Sequence, residues 1–134
     1  MANYAVKKID AMEAAFRGGY KRARAELGVE SFGLQVLDFP ANAPQYPEHD
    51  HAEDGQEEVY MAIRGRGEIE IDGERYKLDP ETMVRVGPGV KRKLLTGDEP
   101  MRVLAIGGVP GKAYEPPELS KLGSPDPLAA RPRT

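Results

Sequence analysis

Both histidines of this 134-residue chain lie two positions apart in "YPEHDHAEDGQEEVY", Tyr46 to Tyr60, among six acidic residues. On an extended strand that spacing puts His49 and His51 on one face, one pleat apart. The loop "AEDGQE" then turns, and "EVYMAIR" begins a strand that can bring Glu58 up beside them. Two imidazoles and one carboxylate on one face of a rigid sheet form a facial ligand set. It suits Fe(II), Mn(II), Ni(II) or Zn(II), with positions left for water or substrate. The alternative is a solvated acidic loop whose carboxylates raise the imidazole pKa values. Spacing alone leaves both readings standing.

The elements that must hold these residues read mostly as strands. In "IEIDGERYKL", Asp72-Gly73 signals a type I′ hairpin. A two-residue turn there pairs Ile71 with Glu74, Glu70 with Arg75, Ile69 with Tyr76 and Glu68 with Lys77. Opposite charges then share one face, with Ile69, Ile71, Tyr76 and Leu78 on the other. "MVRV" (Met83–Val86), "KRKLL" (Lys91–Leu95) and "MRVLAI" (Met101–Ile106) are further strands, separated by the turn clusters "GPG" and "TGDEP". Strands recurring every ~8–12 residues with Gly and Pro punctuation indicate a β-sandwich or barrel.

Before the histidines, "IDAMEAAF" (Ile9–Phe16) has helical spacing with Asp10 placed to cap it, and Gly18-Gly19 limits it to one or two turns. "YKRARAEL" (Tyr20–Leu27) alternates with period two, so a strand is expected, with Lys21, Arg22 and Arg24 on its solvated face, although its Ala, Arg and Lys content would also suit a helix. "SFGLQVLDF" is a second strand. "PANAPQYP" (Pro40–Pro47) is loop, because its prolines deny a ladder its donors. After Gly108 the composition shifts. Residues 109–134 carry six prolines and read as an extended tail appended to a single domain spanning 1–108.

At 14.7 kDa, with 40% hydrophobic and 31% charged residues, the chain suits one globular domain. A net charge of -3 gives no footing for nucleic acid or an anionic membrane. "KRK" at 91–93 splits between two strand faces. Cysteine is absent, which excludes thiolate sites and fits a reducing, cytoplasmic setting. The start lacks the apolar run of a secretory signal, and no stretch approaches the ~18 apolar residues of a membrane span.

The run "HDHAEDGQEEVYMAIRGRGEIEIDGE" resembles the first signature of the cupin family, a His-x-His pair followed by Glu, six residues and Gly. Glu58 and Gly65 stand at those positions, and "AEDGQ" reads as a lengthened loop. "ETMVRVGPGVKRKLLTGDEP" resembles the second signature, with Gly89 as its turn glycine beside Pro88. Two positions depart: Glu81 replaces the leading glycine, and Arg92 stands where the family has its fourth metal ligand. The resemblance covers Phe32 to Ile106. It implies an all-β, double-stranded β-helix barrel of jelly-roll type, with a short N-terminal helix and the Pro-rich tail as additions. It also implies a divalent metal on His49, His51 and Glu58, and pairing into a homodimer.

Arginine cannot be deprotonated in a protein, so Arg92 cannot be a ligand. Two outcomes follow. If metal binds, one carboxylate leaves a divalent site at net +1, and Arg92 raises it to about +2. Such a cup attracts a small anion, a carboxylate above all, bridging metal and guanidinium. If no metal binds, Arg92 pairs with Glu58 in a polar cavity. Tyr60, two residues beyond Glu58 on the same face, either lines that pocket or belongs to the core. Three functions are therefore open: a metal-dependent enzyme acting on a small anionic or oxygenated molecule, a non-catalytic binder of such a molecule, and a structural homodimer with a vestigial pocket. In the last case, Tyr114, Leu119 and Leu122 of the tail would be anchors on the partner.

Overall fold

The computed structural model describes residues 3–43 and 48–128, so Pro44 to Pro47 of the expected loop and the last residues of the tail lie outside the described residues. The architecture is all-β, as expected. Seven antiparallel strands form one sheet: β1 (Ala14–Ala15), β2 (Tyr20–Lys21), β3 (Gly33–Phe39), β4 (Glu57–Ile71), β5 (Glu74–Leu78), β6 (Val84–Val86) and β7 (Arg92–Gly108). Their order is β1-β2-β3-β7-β4-β5, with β6 paired to β4. Among the described residues no helix is long and apolar enough to cross a membrane.

The hairpin register matches the sequence reading pair for pair, from Ile71↔Glu74 to Glu68↔Lys77. Asp72 and Gly73 take φ values of 49° and 87°, the two positive values that a type I′ turn requires. Ile69 and Leu78 are fully buried, while Arg75 on the outer face sits 3.2 Å from Glu70.

The strands β4 and β7 are longer than expected and carry the architecture. They pair in two ladder segments, from Glu57↔Gly108 to Gly65↔Met101 and from Gly67↔Thr96 to Ile71↔Arg92. Between the segments, β4 has only Arg66 whereas β7 has Gly97 to Pro100. The cluster "TGDEP", read as a turn between two strands, is thus a bulge inside one continuous strand. It does not reverse the chain because β4 runs past both halves and the ladder resumes with the same partner. Gly65 and Gly67 mark the crossing. A Cβ at Gly65 would collide with the Pro100 carbonyl and one at Gly67 with the Leu95 carbonyl.

Alternation along these strands sets the inside of the barrel. Tyr60 and Ala62 of β4, Val103 and Ala105 of β7 and Leu37 of β3 turn inward into the main core. Val36 turns outward and packs with Met12 and Ala23 in a smaller cluster.

The N-terminal expectations need correction. The short N-terminal helix is one 3-10 turn, Ile9–Ala11, and gives way to β1 well before Phe16. Asp10 caps nothing, because its carboxylate pairs with Arg102. Tyr20–Leu27 is not one strand. Only Tyr20–Lys21 pairs, and Ala23–Leu27 form a short helix, α1. Alanine counted as apolar gave the period-two pattern, but Ala, Arg, Glu and Leu are strong helix formers. Gly28 closes α1 in the left-handed region at φ 78°, with its N–H on the Arg24 carbonyl at 2.9 Å.

The basic residues there are not a solvated face either. Arg22 is 2% and Arg24 9% exposed. The Arg22 guanidinium donates to Glu13 at 2.8 Å and to the Leu119 and Ser124 carbonyls at 2.9 and 2.8 Å. The tail is therefore laid along its own chain. Asp126 accepts the Phe16 N–H at 3.0 Å, and Glu13 accepts the Gly123 N–H at 2.9 Å.

Candidate metal centre

Glu58, the second residue of β4, is 8% exposed and shares the inward parity of Tyr60. The histidine segment reaches the same end of the barrel by lying against the start of β7. His49 N–H donates to the Arg92 carbonyl at 3.0 Å, and Arg92 N–H returns to the His49 carbonyl at 2.9 Å. His51 N–H donates to the Pro88 carbonyl at 2.7 Å, in the turn before β7. The two imidazoles meet edge to face, with centroids 5.2 Å apart. Glu58 Oε1 lies 2.9 Å from His51 Nε2 and 3.9 Å from His49 Nε2. One ligand atom from each of the three residues falls within 4.8 Å of the others.

The chemistry of these donors fits a cation. His51 Nδ1 lies 2.9 Å from Asp54 Oδ2, so the neutral ring carries its proton there and presents the Nε2 lone pair to Glu58. His51 Nε2 is buried, and its approach to Glu58 lacks hydrogen-bond geometry. Two acceptors facing each other at that distance repel unless a positive charge sits beside both. Neighbouring ligands held ~2.1 Å from an ion at a right angle lie ~3.0 Å apart, close to the spacing here. An imidazole fixed by a carboxylate on its far nitrogen is a common form of metal-ligating histidine.

Without an ion, a proton serves the same electrostatic need. Glu58, and then Asp54, hold the His51 imidazole above its ordinary pKa against the opposing effect of burial. Burial pushes Glu58 upward, but His49, His51 and the Tyr60 hydroxyl outweigh it and keep the carboxyl well below the usual range. Tyr60, 1% exposed, donates its O–H to Glu58 Oε1 and is at once core and support for the carboxylate.

Arg92 is wholly buried. Its Nη2 donates to the Val86 and Gly87 carbonyls, each at 3.3 Å, and comes no nearer than 3.9 Å to Glu58 Oε1. Its Nε and Nη1 are buried and, among the described residues, have no hydrogen-bond partner. A buried guanidinium with two idle N–H groups is costly, and an anion on those groups would remove the cost. The structure thus brings all five singled-out residues, His49, His51, Glu58, Tyr60 and Arg92, to one end of the barrel.

Asp54 was missed by sequence reasoning. The signal was a carboxylate three residues after His51, within the loop that exceeds the family spacing. That loop is folded on itself: Asp50 accepts the Ala52 N–H at 3.0 Å, Asp54 accepts the Gln56 N–H at 2.9 Å, and Gly55 takes φ 72°. Its extra length is what returns Asp54 to His51.

Comparison with known proteins agrees with this architecture. The family model described as Cupin domain matches residues 35–107. An uncharacterized protein of Streptomyces coelicolor is 30% identical over 118 residues, covering 88% of this chain and 99% of that protein. A crystal structure of a cupin protein from Bacteroides fragilis superposes with a TM-score of 0.67 at 24% identity, covering 87% of this chain and 93% of that one. A sugar phosphate isomerase from a cupin superfamily, from Silicibacter pomeroyi, superposes at 0.61 with 15% identity, over 78% of this chain and 75% of its own. At these identities the structural matches speak for the fold alone.

Proposed function

As the chain belongs to the cupin family, we propose that it is a small-molecule-binding barrel holding a divalent transition metal (Fe, Mn, Ni or Zn) through His49, His51 and Glu58. Arg92, with Tyr60 supporting Glu58, receives an anionic oxygen group of the ligand, a carboxylate foremost. The observation that carries this reading is the close approach of His51 Nε2 to Glu58 Oε1, 2.9 Å apart without hydrogen-bond geometry, beside a buried guanidinium whose Nε and Nη1 lack partners among the described residues. One group calls for a cation and the other for an anion, and a metal-bound carboxylate satisfies both. A metal-free pocket closed by an Arg92–Glu58 pair is less well supported, since the 3.9 Å approach makes no hydrogen bond.

When bound, the ion would supply Lewis acidity or a redox centre to an oxygenated ligand. The protein would orient that ligand through Arg92, keep His51 in one tautomer through Asp54, and keep Glu58 ionised through Tyr60. A homodimer and a cytoplasmic location complete the proposal.

Elemental analysis of tag-free protein purified without chelator tests the reading, beside the double variant His49→Ala/His51→Ala. Near-stoichiometric metal in the wild type, lost in the variant, is expected. Metal absent from both, even after addition of Fe, Mn, Ni and Zn, would remove the metal from the proposal.

A further inference from the structure

Beside Glu58 the barrel wall carries two glycines whose missing side chains leave room that neighbouring polar groups fill. Along one row of the sheet, Glu58 on β4 faces Gly107 on β7, and Gly107 faces Gly33 on β3. Each glycine lies where a neighbouring polar group needs the room. A Cβ on Gly107 would collide with Gln56 Oε1 and stand 3.1 Å from Glu58 Cγ. A Cβ on Gly33 would stand 2.7 Å from the hydroxyl of Tyr114. Two missing methyl groups therefore let the Gln56 amide and the Tyr114 phenol approach the barrel wall closely, in the same row as Glu58.

Tyr114 comes from the tail, and its placement is fixed. A few residues onward the tail is held by the Arg22 guanidinium, which takes the Leu119 and Ser124 carbonyls, and by Glu13, which takes the Gly123 N–H. Ser120 is 1% exposed. The phenol is half-buried: burial pushes its pKa up, the Arg24 guanidinium draws it down, and Glu58 and Asp54 raise it again. It therefore stays a neutral hydroxyl that feels the carboxylates of the metal centre. No hydrogen bond joins that hydroxyl, or the Gln56 side-chain amide, to another described residue.

We infer that Tyr114 and Gln56 form a second recognition wall, and that the ligand is a hydroxy-carboxylate. This inference rests on the reading that Arg92 takes the carboxylate. The chemistry of the wall sets the class. A phenol and an amide each donate and accept, as a hydroxyl does, and carry no charge to balance a second anion. Glu58 and Asp54 nearby disfavour such an anion further. The distance sets the length. Gly33 lies two strands from Glu58, roughly 10 Å along the sheet, with Arg92 on the opposite side of that carboxylate. An acid of about four to six carbons with a hydroxyl at its far end spans the two walls. The tail is then part of the binding site, and Tyr114 determines specificity within it.

The test is isothermal titration of zinc-loaded, full-length protein with 4-hydroxybutyrate, 5-hydroxypentanoate and 6-hydroxyhexanoate, each against the unsubstituted acid of equal length. At one length the hydroxy acid should bind about fivefold more tightly, the worth of one net hydrogen bond. Tyr114→Phe should erase that difference while leaving the plain acid unchanged. Gly33→Ala, which displaces the hydroxyl and keeps the ring, should do the same. Equal binding of both members of every pair, or a Tyr114→Phe variant that keeps the preference, overturns the second wall while leaving the Arg92 reading intact. If no acid binds although zinc is retained, the carboxylate reading fails and the second wall falls with it.

Discussion

Arg92 and His49 exchange both of their backbone hydrogen bonds, at 3.0 and 2.9 Å. The first histidine of the centre is thus anchored on the residue that replaces the family's fourth ligand, and side-chain changes at 92 leave that anchor in place. Arg92→Met should retain metal, lose carboxylate binding, and keep or raise the thermal midpoint in chelator. A buried guanidinium with idle N–H groups contributes little to stability, and apolar replacements of buried ionic groups are often neutral or favourable. A melting point lowered by more than a few degrees would mean that the contacts to Val86 and Gly87 matter more than the idle groups cost. Arg92→His should restore a four-protein-ligand set and tighten metal binding.

Asp54 tests the contribution of the long loop. Asp54→Asn keeps the loop's size but replaces the carboxylate on His51 Nδ1. Loss of such a supporting partner typically lowers metal affinity ~10–100-fold. Competition with a chromogenic chelator measures it. Asp50→Asn serves as the control, because among the described residues Asp50 bonds the Ala52 N–H and nothing else. Equal losses in the two variants would assign the effect to general loop charge instead of His51.

Gly65 and Gly73 separate conformation from collision. Both have positive φ, 74° and 87°, but a Cβ at Gly73 meets nothing within 4 Å whereas one at Gly65 meets the Pro100 carbonyl. Gly73→Ala should cost about 1 kcal/mol, the strain alone. Gly65→Ala should cost about 3 kcal/mol or more, since backbone on β7 must move. Urea midpoints give both numbers, and similar values would show that the crossing of β4 and β7 yields easily.

Asp38 predicts an acid-sensitive contribution to stability. Arg102 Nε and Nη2 bind its two oxygens at 2.7 and 3.0 Å, and Lys21 lies 3.2 Å away. Burial raises its pKa, but these cations outweigh burial and hold it below the ordinary 3.8. A folded-state pKa below the unfolded one contributes stability that is fully present above the unfolded value. That stability is lost as pH falls below 3.8 toward the depressed value. Asp38→Asn should therefore lose less stability than wild type between about pH 5 and pH 2, by urea denaturation. Parallel losses would mean that other carboxylates dominate.

The local rules that were obeyed made much of this legible in the sequence. The I′ turn at Asp72-Gly73 fixed a register, and alternation around it separated the charged pairs from Ile69 and Leu78. The grouping of His49, His51 and Glu58 followed from the motif resemblance, but the expected strand hairpin does not form, since His49 makes a single bridge and that to Arg92 of β7 instead of β4. Ala23–Leu27 was misread because period alone does not distinguish a strand from an alanine-rich helix. The bulge in β7 was misread because whether a Gly/Pro cluster reverses the chain depends on the partner strand, which local sequence does not reveal. Arg22 was misread for a similar reason: its carbonyl partners lie about a hundred positions away. Gln56 and Tyr114 gain their positions from the absence of side chains on Gly33 and Gly107, and no spacing rule connects those four residues.

The pairing of β4 with β7 has a kinetic consequence. Glu58, Tyr60, Gly107 and Arg92 all lie on these two strands, whose ladder begins at Glu57↔Gly108 and ends at Ile71↔Arg92. Closing that ladder joins residues far apart in sequence, the kind of contact that slows folding and concentrates structure formation in one late barrier. The hairpin at Asp72 can form early and alone, but no partial zippering of β4 onto β7 sets both Glu58 and Arg92. Refolding should thus assemble the candidate site in the same phase that delivers the barrel, with ion uptake lagging behind hairpin formation and never preceding closure.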